Sequence, residues 1–130
     1  MKRYLPLIGW VLLIIYPSTT FLKKARSGSL VNLAYRSEGA HIAVHLLMFF
    51  VLALLVVYSF QLQGTRREIG FALLFILGVG VVQEGLQFLV SADRLIGWPE
   101  LFDLGVDLIG GALGFAFRFS QSLGAGAHKL

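Results

Sequence analysis

The 130-residue chain has no cysteine, which excludes disulfide frameworks, thiolate metal sites, iron–sulfur clusters and cysteine nucleophiles. Charge is scarce too: Asp, Glu, Lys and Arg together make up 14%, against about 25% in an ordinary soluble domain. Apolar residues fill the gap. They reach 57%, with 13% aromatic and a mean hydropathy of +0.79, so a single domain of this size lacks the side chains to cover itself against water. A lipid bilayer is the solvent that suits such a composition, and disordered, collagen-like and coiled-coil readings are excluded. The net charge of +4 does not point to nucleic acid, because the basic residues sit in pairs between apolar runs, where membrane-flanking charge belongs. A glycine-rich phosphate loop, a Gly-x-Ser-x-Gly elbow and a nucleic-acid-binding module are also missing.

Four apolar runs are present, over about residues 4–22, 40–60, 69–90 and 101–119. As helices each is roughly 28 to 33 Å long, enough to cross the roughly 30 Å hydrocarbon layer. Lipid forces the backbone to satisfy its own N–H and C=O groups, and no run has the alternating pattern of a transmembrane barrel. The expectation is an all-α, integral membrane four-helix bundle forming a single domain, with residues 120–130 a flexible tail. Lys2 and Arg3 before the first run also fit a signal peptide, but no small-residue cleavage site follows, and Lys23, Lys24 and Arg26 form a stop-transfer flank. Pro17 with Ser18, Thr19 and Thr20 should loosen the last turn of the first helix. Orientation rests on a narrow margin. Lys2, Arg3, Arg66, Arg67, Arg118 and Lys129 flank one side, and Lys23, Lys24, Arg26, Arg36 and Arg94 the other, which favours cytoplasmic termini.

Glu84 lies near the end of the third run, Asp103 and Asp107 open the fourth, and His41 and His45 open the second. Alternating topology brings these three ends to one membrane face, together with Arg94 in the third connection and Arg36. At about 100° per residue, His41 and His45 share a face, as do Gly80, Glu84 and Gln87, and likewise Asp103, Asp107, Gly110 and Gly114. An acid facing lipid costs about 2.5 to 3.5 kcal/mol near mid-span, so the stripes should face each other. The glycines at Gly80, Gly110 and Gly114 let helix backbones approach, as small-residue stripes do in lipid.

The ordered set from Gln83 to Phe117 resembles the VanZ-like family, small integral membrane proteins named for a teicoplanin-resistance accessory protein of Gram-positive bacteria. The family's Glu-x-x-Gln falls on Glu84 and Gln87, its following Arg on Arg94, its last-helix Asp on Asp103, and its small-residue pair on Gly110 and Gly114. A His with an aromatic four residues on is matched by His45 and Phe49. Here His41 and Ile42 replace the family's Asp-Lys, and Asp107 replaces an Asn, so this cluster is the more acidic one. The resemblance implies a multi-pass protein of the bacterial cytoplasmic membrane with an envelope-related role, including a link to glycopeptide resistance.

Three functions follow from these residues. In the first, a polar pocket open to one leaflet binds an amphiphilic, lipid-linked or glycopeptide-type envelope component. Arg94 meets an anionic head group, while Glu84, Gln87, Asp103 and Asp107 accept hydrogen bonds, and Phe88, Trp98 and Phe102 line the rim. Membrane lipids are then the expected partners, with no cofactor and no assigned catalytic residue. In the second, His41 and His45 at i and i+4 with Glu84 or Asp103 hold a hydrolytic metal ion. In the third, the polar groups satisfy one another and only fix helix register. Proton-coupled transport fits less well, because the polar layer lies at one face and no path crosses the bilayer.

Overall fold

A computed structural model describes residues 2–16, 38–90 and 98–127, the side chains at 38, 90, 98–100 and 122–127 excepted. Among the described residues the chain is all-α, with four α-helices and no strand. A 3-10 turn, Lys2–Tyr4, leads into α1 (Leu5–Ile15); α2 is Glu38–Phe60, α3 is Arg66–Val90 and α4 is Trp98–Ala127.

Helix ends follow local chemistry. Pro6 in the first turn of α1 takes a position where its missing N–H costs nothing. The helix stops at Ile15, and Tyr16 is extended, with φ −59° and ψ 122°. The cause is Pro17, whose ring disfavours helical backbone in the residue before it. The first run was expected to stay helical to Leu22, and residues 17–22 lie outside the described residues. As described, α1 has 11 residues, about 16 Å, roughly half a hydrocarbon layer. The start of α3 comes earlier than position 69 because Thr65 and Glu68 form a reciprocal cap. Thr65 N–H donates to Glu68 Oε2 at 2.9 Å and Glu68 N–H donates back to Thr65 Oγ1 at 3.3 Å. Helix α4 does not end at Phe119 but continues through Ala127, across the small residues first assigned to a tail.

Two helices are long and apolar enough to cross a membrane, Gly39–Phe60 and Arg66–Leu89. Only 33% and 28% of their apolar windows are buried inside the protein, far less than the core helix of a soluble globule requires. Leu47, Leu74 and Leu89 are each more than 60% exposed, which leaves a broad apolar outer surface. Helix α4 is longer, at 30 residues, but carries Asp103, Asp107 and Arg118 and does not reach that apolarity.

The core is a seam of Phe49, Leu52 and Val56 from α2 with Ala72 and Ile76 from α3, closed by Phe115 of α4 and by Leu7 and Ile14 of α1. Trp10 Nε1 donates to the Met48 carbonyl at 3.0 Å and Ser59 Oγ to the Arg3 carbonyl at 3.1 Å, fixing the first segment on α2. Helix α4 packs on both α2 and α3. Its glycines set the distance: a Cβ on Gly110 would lie 2.6 Å from the Leu46 carbonyl oxygen, and one on Gly114 2.7 Å from that of Phe50. Leu46 with Gly110 and Phe50 with Gly114 advance together, so α2 and α4 run parallel.

Candidate functional site

The first two turns of α2 present His41 and His45 to the first turns of α4, where Asp103 and Asp107 wait at the same four-residue spacing. His45 Nδ1 donates to Asp107 Oδ1 at 2.8 Å, and His41 Nε2 lies 3.4 Å from Asp103 Oδ2. The imidazoles stack along α2 with ring centroids 4.5 Å apart. Two rungs therefore join the parallel helices, one turn apart.

The rungs differ in burial. His45 and Asp107 side chains are 5% and 2% exposed, whereas those of His41 and Asp103 are 34% and 20% exposed. The inner rung is a dry hydrogen bond at a good donor–acceptor distance. The outer rung is partly exposed and too long for a strong one.

Helix α3 supplies the third side. Gly80 admits α4, since a Cβ there would meet Asp107 Oδ2 at 3.2 Å and Leu104 Cδ2 at 3.0 Å. One turn further along, Glu84 joins His45 and Asp107 in a group whose candidate ligand atoms all lie within 4.8 Å of one another. A second group of the same compactness is His41, His45 and Asp103. His45 belongs to both. Inside this layer Asp107 Oδ2 and Gln83 Oε1 are buried without a hydrogen-bond partner. An unpaired acceptor in low dielectric costs about 1 to 3 kcal/mol, so these atoms make the layer acceptor-rich.

Of the residues singled out in the sequence, His41, His45, Glu84, Asp103 and Asp107 come together, and Gly80, Gly110 and Gly114 line the contacts that bring them together. Gln87 lies half-buried a turn beyond Gln83, and Phe102 is 57% exposed at the start of α4. Arg94 and Arg36 lie outside the described residues, as does the Trp98 side chain. The histidine pair groups with Asp103, while Glu84 groups instead with His45 and Asp107. Gln83 and Gly111 were not singled out. Gln83 is 5% exposed, and a Cβ on Gly111 would meet Ile76 Cδ1 at 2.6 Å. Their signal was positional, since Gln83 is three residues from Gly80 and Gly111 adjoins Gly110.

Among the described residues the lysines and arginines are Lys2, Arg3, Arg66, Arg67 and Arg118, all at the opposite end of the bundle. A cavity of about 520 Å³ opens there, with Gln61, Gln63, Arg118 and Phe119 in its wall. It is remote from the histidine–carboxylate layer.

Fold and layer together define an all-α protein with two helices fit to cross a membrane and a compact His–carboxylate layer at one end of the bundle. Searches against protein-family models, curated proteins and solved structures found no match.

Proposed function

We propose that the chain is a multi-pass membrane protein whose His–carboxylate layer binds the head group of an amphiphile or lipid-linked envelope component from one leaflet. The observation that carries this reading is the meeting of His41, His45, Glu84, Asp103 and Asp107 at one end, with the outer rung accessible and acceptors to spare. A self-satisfied packing device has no use for a buried carboxylate oxygen without a partner. Hydroxyl, amide or ammonium groups of a head group can donate to the accessible carboxylate of the outer rung, Asp103. The resemblance to VanZ-like proteins on Glu84, Gln87, Arg94 and Asp103 supports an envelope role, extending to glycopeptide resistance. Six basic residues against five favour cytoplasmic termini, an orientation that puts the layer at the outer leaflet.

The test is native mass spectrometry of the protein released from nanodiscs made with a bacterial polar lipid extract. The expected result is a retained lipid on the wild type that falls several-fold in an Asp103→Asn, Glu84→Gln double variant of unchanged helicity. The same lipid complement on both proteins would overturn the reading.

A further inference from the structure

The outer rung has an unusual length. At 3.4 Å, His41 Nε2 and Asp103 Oδ2 are beyond the usual 2.7–3.2 Å of an N–H···O bond. The edge of a tetrahedron whose centre lies about 2.0 to 2.1 Å from each corner is about 3.3 to 3.4 Å, the separation of two nitrogen or oxygen ligands on zinc. His45 completes the set, with a ring nitrogen within 4.8 Å of both. Because Nδ1 is engaged at 2.8 Å by the Asp107 carboxylate, Nε2 is the nitrogen left for an ion. A metal-binding histidine whose other ring nitrogen is held by a carboxylate is the usual arrangement, because the carboxylate fixes ring orientation and tautomer.

Two further features point to a cation here. Asp107, the carboxylate that holds His45, is 1% exposed, so the ring orientation it imposes is set in a dry contact. Three carboxylates also meet two imidazoles in the layer. A divalent ion offsets that excess of negative charge.

We propose that His41, His45 and Asp103 form a three-ligand site for a divalent transition-metal ion of the zinc class, with Asp107 as the positioning residue that holds His45. Imidazole and carboxylate suit this class, and the cysteine-free chain offers no thiolate to compete. The fourth position faces the accessible side, where the His41 and Asp103 side chains are 34% and 20% exposed. Resting on the reading of the layer as a binding site, this gives it the electrophile that an anionic or carbonyl-bearing head group needs. The other grouping, His45 with Glu84 and Asp107, suits an ion less well, because a metal on His45 Nδ1 would have to break the 2.8 Å bond.

The experiment uses full-length protein in detergent micelles, stripped with a chelator and reloaded with zinc or cobalt alone. The expected result is about one zinc per chain by elemental analysis, and an intense visible cobalt spectrum of four-coordinate type. His41→Ala changes a partly exposed side chain, so it should fold and still lose stoichiometric metal. Asp107→Asn should keep the metal but weaken it about 10- to 100-fold and alter the cobalt bands, a change that loss of stability alone does not produce. Glu84→Gln should leave stoichiometry and spectrum unchanged. Absence of stoichiometric metal in folded wild type overturns the site. Loss in Glu84→Gln with retention in His41→Ala overturns this ligand set. Metal bound while the nanodisc experiment finds no lipid removes the head-group reading and leaves the ion site standing.

Discussion

Asp107 shows how one side chain ties three helices together. It accepts from His45 of α2 through Oδ1, turns Oδ2 toward Gly80 of α3, and is 1% exposed on α4. His45→Ala or Asp107→Ala alone leaves a buried polar partner without its bond and should cost about 1 to 3 kcal/mol. Their mutual coupling should be smaller, about 0.6 and at most about 1.7 kcal/mol, because helices unfolded within a membrane also find partners. A double-mutant cycle on unfolding in micelles measures it. Strictly additive effects would show that the inner rung contributes nothing. Phase arithmetic made this pair legible in outline, since it placed His41, His45, Asp103 and Asp107 on facing stripes. It did not assign partners, because an angle about the helix axis carries no information about the offset along it.

The helix contacts turn on where a methyl group fits. On α4, Gly105 has nothing within 4 Å of an added Cβ, whereas Gly110 and Gly114 would drive one to 2.6 and 2.7 Å from backbone oxygens of α2. Gly105→Ala should therefore be neutral or stabilising by up to about 1 kcal/mol, the helix-propensity gain. Gly110→Ala gains the same propensity but forces two backbones apart, an overpacking cost of about 1 to 3 kcal/mol, so the net effect should be destabilising. Thermal unfolding in micelles ranks the two, and equal melting temperatures would contradict the close approach. At the start of α3, Thr65→Ala removes the cap that pairs with Glu68 and should cost about 1 kcal/mol in the same assay. That Thr-x-x-Glu spacing was readable in the sequence, as was the stop before Pro17. Hydropathy alone passed over both, because the apolar run continues where the backbone geometry does not.

Among the described residues, charge is divided along the bundle. The His–carboxylate layer occupies one end, and Lys2, Arg3, Arg66, Arg67 and Arg118 the other, with apolar surface such as Leu74 and Leu89 between. Because the chain has no cysteine, single-cysteine variants report topology directly. Gly39→Cys, at the exposed start of α2, and Gln63→Cys, in the turn before α3, stand at opposite ends of a helical rise of about 32 Å from position 39 to Phe60. In sealed vesicles an impermeant maleimide should label them from opposite sides, with Gln63→Cys on the cytoplasmic side, as the six-to-five basic count favours. Labelling of both from one side would remove the transmembrane placement of α2.

Composition and periodicity by themselves determined that the chain is helical and apolar enough for a bilayer, and which faces carry the polar groups, because hydropathy and a period of 3.6 are properties of the local chain; they pointed to four spans, where the described residues hold two helices fit to cross. Only the tertiary structure decided which acid meets which histidine. The methyl-free surfaces of Gly110 and Gly114 let α4 settle against α2 in one axial register, and that register places Asp103 by His41, Asp107 by His45, and Glu84 on the inner rung. Side-chain spacing within a helix is fixed by its hydrogen bonds, but spacing between helices is fixed by the atoms in contact.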